Sequence, residues 1–208
     1  AISAGLPLRF PETSDEVALV EDVLAKELSK LSMDEHERIL FDIHGLPRTT
    51  LEDDPPALEA RMKELDLELD AIEKDRDAFD EARRINQAYV DNPKFRLMFL
   101  RAENYDAKVA AETIIFHFSI KRQLFGGGDI LARDIYQTDL DRWDLGLLAL
   151  GFTQVLPSTD AAGRTVIALS PEFRKYGTKK TFMRPISRAS WYFNMAILQD
   201  EERQKNGT

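Results

Sequence analysis

The 208-residue chain contains no cysteine, which excludes disulfides, thiol nucleophiles and zinc–thiolate sites and suits a reducing compartment. Histidine is scarce: only His36, His44 and His117 occur, and none stands in a His-Glu-x-x-His or other paired ligand spacing. No apolar run approaches the roughly 20 residues that span a bilayer. The opening AISAGLPLRF has no basic stretch leading into a long apolar one, so no signal peptide is expected. It also lacks an initiator Met, so residues upstream are expected. Surplus positive charge is missing as well. The net charge is −9, and because phosphate neutralisation dominates nucleic-acid affinity, a nucleic-acid partner is not expected.

The charge that is present is unevenly placed. Residues 1–80 hold 22 acids against 9 bases, and residues 81–208 hold 15 acids against 19 bases. The first half is an acidic, helix-rich stretch. Thr13-Ser14-Asp15-Glu16 is a helix-start signal ahead of Val17, Val20, Leu24, Leu28 and Leu31 at steps of three and four. Ser32 with Glu35 has capping-box spacing and predicts a short helix to Ile43, stopping near Gly45 and Pro47. Residues 48–54 read as a loop. Pro55-Pro56 then opens a long helix whose stripe of Leu58, Met62, Leu65, Leu69, Ile72 and Phe79 is interrupted by Arg76. That helix is predicted to continue to Tyr89, end before Asn92-Pro93, and pair with another helix as a coiled-coil-like hairpin.

After Pro93 the pattern is denser. Phe95, Leu97, Met98, Phe99 and Leu100 form an apolar run. Asp106 caps a helix carrying Val109, Ile114, Phe116, Ile120 and Leu124, which Gly126-Gly127-Gly128 ends. Thr138 and Asp141 open a further helix with Trp143 and Leu147, closed by Gly151. Phe152–Leu156 and Thr165–Leu169 are β-prone runs joined by PSTDAAGR, a hairpin signal. Ser170-Pro171 predicts a short helical segment to Gly177, and Pro185 predicts the start of a last helix running to about Lys205. The expected fold is therefore mainly α with a small α/β part, in three regions: 1–90, 91–150 and 151–208.

Three stretches resemble the CRAL-TRIO lipid-binding family. Residues 95–126 are similar to its helical N-terminal subdomain, through Phe99-Leu100-Arg101-Ala102, Tyr105, Asp106 and Lys121-Arg122. Asp160-Ala161-Ala162-Gly163-Arg164-Thr165-Val166 resembles the family's Asp-x-x-Gly-Arg-Pro-Val turn, with Thr165 in place of Pro. The order of strand, loop, long helix and Gly-containing turn completes the likeness. The resemblance implies a non-catalytic carrier of a single lipid, phosphoinositide or isoprenoid-like, that meets membranes transiently and is cytoplasmic and peripheral. It further implies pocket contributions from Val166, Ala168, Phe193 and Ile197, with most of the cavity expected beyond Thr208. Phe99, Leu100, Arg101, Asp106, Asp160, Gly163 and Arg164 are expected to have structural roles. Phe99 and Leu100 would bury, Arg101 and Asp106 would tie helix ends, Gly163 would permit a positive φ, and Arg164 would anchor the turn on Asp160.

Other chemistry is weakly signalled. The triple glycine lacks the Lys-Ser/Thr of a phosphate loop and reads as a helix terminator and flexible joint. Asp139, Asp141 and Asp144 lack the central Gly and closing Glu of a calcium loop. No Gly-x-Ser-x-Gly is present. No metal, cofactor or catalytic residue is expected, and His117 reads as a satisfied core histidine. Lys179, Lys180, Phe182, Arg184 and Arg188, near Met183 and Trp191, form a basic and apolar patch suited to an anionic membrane surface. The alternative reading is a protein-interaction scaffold built on the acidic helical half, motivated by its 58–79 stripe, with the CRAL-TRIO-like part as a membrane tether.

Overall fold

The computed structural model describes residues 54–160, 163–170 and 180–206, together with the isolated positions Lys26, Lys30 and Ser32. The chain divides into two compact units, Ala1–Gly45 and Leu46–Thr208, and every element below belongs to the second. The helices expected between Val17 and Ile43, and the segment expected from Ser170-Pro171 to Gly177, lie outside the described residues.

The unit is mainly helical with one small antiparallel sheet. Its first helices are α1 (Pro55–Ala71), α2 (Asp77–Ile85), α3 (Gln87–Val90), α4 (Pro93–Ala102) and α5 (Ala107–Phe125). Two 3₁₀ turns, Gly128–Ala132 and Gln137–Asp139, lead to α6 (Arg142–Ala149). Strands β1 (Thr153–Thr159) and β2 (Thr165–Leu169) follow, then α7 (Lys180–Leu198) and α8 (Glu201–Asn206). Among the described residues no helix is long and apolar enough to cross a membrane.

Capping explains most boundaries. The Asp106 carboxylate accepts the Val109 N–H at 3.0 Å and starts α5. Gly126, at φ 97°, ends it. Asp141 and Asp144 form a reciprocal capping box on α6, and Gly151 closes it with φ 65°.

One expectation fails at Arg76. The predicted helix from Pro55 to Tyr89 is broken into α1, α2 and α3. Ile72 turns to extended backbone, Asp75 takes φ 57°, and the Arg76 guanidinium donates to the carbonyls of Leu69 (3.2 Å) and Ile72 (2.6 Å) at the end of α1. It also grips Asp80 at 2.9 Å. The arginine that interrupts the stripe thus caps one helix and starts the next. Asn86 makes the second break, its side chain accepting the Tyr89 N–H at 3.2 Å.

The stripe itself is consumed in the fold. Leu65, Leu69 and Phe79 are fully buried with Leu100, Ile114 and Phe118 in one core, and α1 lies along α5. This core draws on residues both before and after residue 90. Phe79 meets Phe118 edge-to-face at 5.7 Å between centroids. Buried Arg96 locks this layer, donating to Val90 O at 3.3 Å and Asp91 at 2.5 Å while pairing with Asp66 of α1.

The triple glycine is a clasped corner. Glu81 accepts the Gly128 N–H at 2.7 Å and pairs with Arg122 on α5. Its carboxyl is held below the ordinary range, first by the Gly128 N–H. The corner is a helix stop as expected, but Glu81 restrains the joint.

The hairpin pairs Thr153 with Leu169, Gln154 with Ala168 and Val155 with Ile167, then shifts register before Thr159 with Thr165. Pro157 lies within that irregularity, the position in a strand that tolerates a residue without an N–H. Helix α7 begins before Pro185, contrary to the expected start there. As the sixth residue of α7, Pro185 leaves one i→i−4 hydrogen bond unmade. Ile186 and Ala189 of α7 pack with Leu147 and Phe152, while Met195 and Leu198 pack on the main core.

Substituting Phe79→Ala is expected to cost about 3–5 kcal/mol in urea unfolding, the range for a buried Phe. Leu67→Ala, at a side chain 72 % exposed on the same helical half, should change stability by less than about 0.5 kcal/mol.

Candidate functional site

Two adjoining hollows open where α7 and α8 meet α3, α4 and α5. The larger, about 470 Å³, is lined by Phe95, Met98, Met195 and Leu198, with Asn92, Lys94, Glu201 and Gln204 among the polar residues of its walls. The smaller, about 160 Å³, is lined by His117, Lys121, Tyr136, Gln137, Trp191 and Tyr192, among others. Tyr89, Asp134, Met195 and Gln199 line both, so the two form one groove with an apolar stretch and a polar end.

The polar end is built around Lys121. This residue is 1 % exposed. Its ammonium donates to the Tyr89 hydroxyl at 3.3 Å, the Leu131 carbonyl at 3.1 Å and the Arg133 carbonyl at 2.5 Å, and lies 4.9 Å from the Tyr89 ring centroid. Burial pushes it down to about 8, partly offset by Asp134. The Tyr89 hydroxyl in turn donates to Asp134 at 3.1 Å. Burial, and then Asp134, hold this phenol well above its ordinary range, so it keeps its proton. Arg133 forks onto Asp139 at 2.7 and 2.9 Å. Each ionic group here is engaged by a partner within the network.

His117 sits in a ring of aromatics, with Trp191 at 4.5 Å, Phe99 at 5.2 Å, Phe118 at 5.4 Å and Phe95 at 5.6 Å between centroids. It is a core residue, 9 % exposed. Its Nε2, however, is buried with no hydrogen-bond partner among the described residues, so the expected satisfied histidine is only half realised. Burial, reinforced by Lys121, pushes the imidazole down to about 3 and keeps it neutral at pH 7.

The sequence-derived residues fall in several places. Phe99 and Leu100 are buried in the core, and Arg101, on α4, donates to Gln204 of α8 at 2.5 Å. The Asp160–Arg164 turn closes on itself. Arg164 donates its N–H to Asp160 at 2.7 Å and its Nε at 2.5 Å, around Gly163 at φ 81°. Val166 and Ala168 are half-buried on β2, Phe193 is half-buried and Ile197 buried on α7. None of these four lines either hollow of the groove, nor a third hollow of about 210 Å³ between the hairpin and α8.

The basic patch is divided. Lys179 and the side chains of Lys180 and Phe182 lie outside the described residues. Arg184 is exposed and donates to the Leu124 carbonyl at 3.1 Å. Arg188 is only 15 % exposed at its side chain; it sits 3.0 Å from Asp144, donates to Asp139 O at 2.6 Å and lies 5.1 Å from the Phe125 ring centroid. It ties α7 to α6 and is withdrawn from the surface the patch was expected to offer. Asp139, Asp141 and Asp144 are likewise committed to Arg133, to the α6 cap and to Arg188.

Two outcomes follow. His117 is unprotonated in the folded state down to about 3, whereas an unfolded imidazole gains its proton near 6.5. The unfolded state therefore binds more protons between these values, and stability falls as pH drops through that window. Between pH 7 and pH 5 wild type should lose about 2 kcal/mol more than His117→Phe, read from urea midpoints. Lys121→Met leaves the Leu131 and Arg133 carbonyls without their donor and should cost about 3 kcal/mol at pH 7 in the same assay.

No family model, curated protein or solved structure matches the chain.

Proposed function

We propose that the chain is a non-catalytic binding module for a single lipid, held in the groove between α4 and the α7–α8 end. The groove itself carries this reading. Phe95, Met98, Met195 and Leu198 give it an apolar stretch, and Lys94, Glu201 and Gln204 give it a polar margin. Ligand sites combine an apolar wall with placed polar groups, and here the four apolar side chains share the wall about equally with polar surface. An acyl or isoprenoid tail leaving a bilayer for such a wall exchanges one apolar surrounding for another, so transfer costs little.

The ordered motifs at residues 95–126 and 160–166, with their resemblance to CRAL-TRIO proteins, support the same reading. The engaged state of Lys121, Tyr89 and Asp134 favours binding over catalysis, because acid–base chemistry needs a group able to exchange its proton with substrate. Contact with a membrane surface would fall to the segment around exposed Met183 and Arg184. The rival scaffold reading draws no support from the 58–79 stripe, since Leu65, Leu69 and Phe79 are buried within the chain's own core.

Incubating the purified 208-residue protein with mixed phospholipid and neutral-lipid vesicles, re-isolating it and extracting it for mass spectrometry should recover about one lipid per chain. Met195→Trp, which fills the point where the two hollows join, should lower that recovery at least about tenfold, a penalty of the size expected from one blocked contact region. No lipid on wild type above the level on Met195→Trp overturns the proposal.

A further inference from the structure

We infer that the polar end of the groove receives an uncharged, hydroxyl-bearing head group and disfavours phosphate and carboxylate heads. The inference rests on the groove being an amphiphile site, and it adds the chemical class of the head.

Charge balance is the first ground. The charged residues lining the smaller hollow are Lys121 and Asp134, one of each sign. Lys121 already donates to three protein oxygens, and Asp134 already accepts the Tyr89 hydroxyl. In the larger hollow Lys94 faces Glu201 at 2.9 Å. Lys94 is 80 % exposed at the outer rim, whereas Lys121, the cation lining the smaller hollow among the described residues, is met on three sides by oxygen from the protein itself. A phosphate entering the smaller hollow gives up its hydration, finds no guanidinium or uncommitted ammonium among the described lining residues to replace it, and meets the Asp134 carboxylate. Anion sites have the opposite make-up, with forked arginines or clustered N–H groups aimed inward.

His117 is the second ground, independent of the first. Its imidazole lines the smaller hollow, and Nε2 is buried without a partner among the described residues. A buried polar nitrogen is normally paired, and one that is not calls for a specific partner. A hydroxyl both donates and accepts, so it satisfies Nε2 in either tautomer, whereas an ether only accepts. Trp191 lies against the ring at 4.5 Å and lines the same hollow.

The test is calorimetric titration of the full chain with three ligands of one tail: dodecan-1-ol, its methyl ether and dodecyl phosphate. The alcohol should bind at least about tenfold more tightly than either of the others, the worth of one well-placed hydrogen bond. His117→Phe should bring the alcohol down to the level of the ether, and Asp134→Asn should narrow the gap to the phosphate. Unfolding midpoints show whether these variants fold, and if His117→Phe does not, the three-ligand comparison on wild type decides. Phosphate binding as tightly as the alcohol overturns the inference while leaving the groove reading intact. Absence of binding by all three overturns both.

Discussion

Lys121 is 1 % exposed, and a buried charge persists only with a full set of acceptors. Its three acceptors come from two stretches of chain: the Tyr89 hydroxyl on α3, and the Leu131 and Arg133 carbonyls in and just beyond the 3₁₀ turn. Meeting that demand fixes how the turn after α5 folds back, and so fixes the wall that α7 packs against. Asp134 is held facing Tyr89 by the same arrangement, and Arg133 is left pointing toward Asp139. The polar end of the groove is the by-product of satisfying one ammonium. Similar logic operates at Arg96, whose buried guanidinium joins Asp66, Val90 and Asp91.

Much of the fold was legible because it is written in short-range chemistry. Asp106, Asp141, Gly126 and Gly151 act within four residues of the boundary they set, and these boundaries appear where the capping pattern places them. The hairpin was legible for the same reason, its turn residues lying between two β-prone runs. What periodicity could not reveal was the break after Ala71. The apolar spacing passes straight through it, since α1 and α2 present their apolar residues to the same core. The only trace was Arg76, and its role depends on where its long side chain reaches, which spacing does not encode.

The groove was harder to foresee. Lys121 looked like a basic residue at the end of an amphipathic helix, with Arg122 beside it. One of the two is fully enclosed and the other pairs at the corner with Glu81, a difference set by their positions around α5. Tyr89 and Asp134 stand far apart in sequence and meet only through the fold. His117 could be placed in the core from its apolar neighbours, but the lack of a partner for Nε2 is visible only once the surrounding aromatics are in position. Arg188 was misread for a related reason: its acidic partners lie on α6, and a patch drawn along the sequence of α7 does not include them.

The two tryptophans occupy opposite environments. Trp143 is 55 % exposed beside the Arg142 guanidinium, whereas Trp191 is half-buried against the His117 imidazole at the head of the groove. The chain therefore carries two built-in optical probes of different colour: a red-shifted surface indole blind to the groove, and a blue-shifted one whose quenching follows whatever comes to rest on that imidazole.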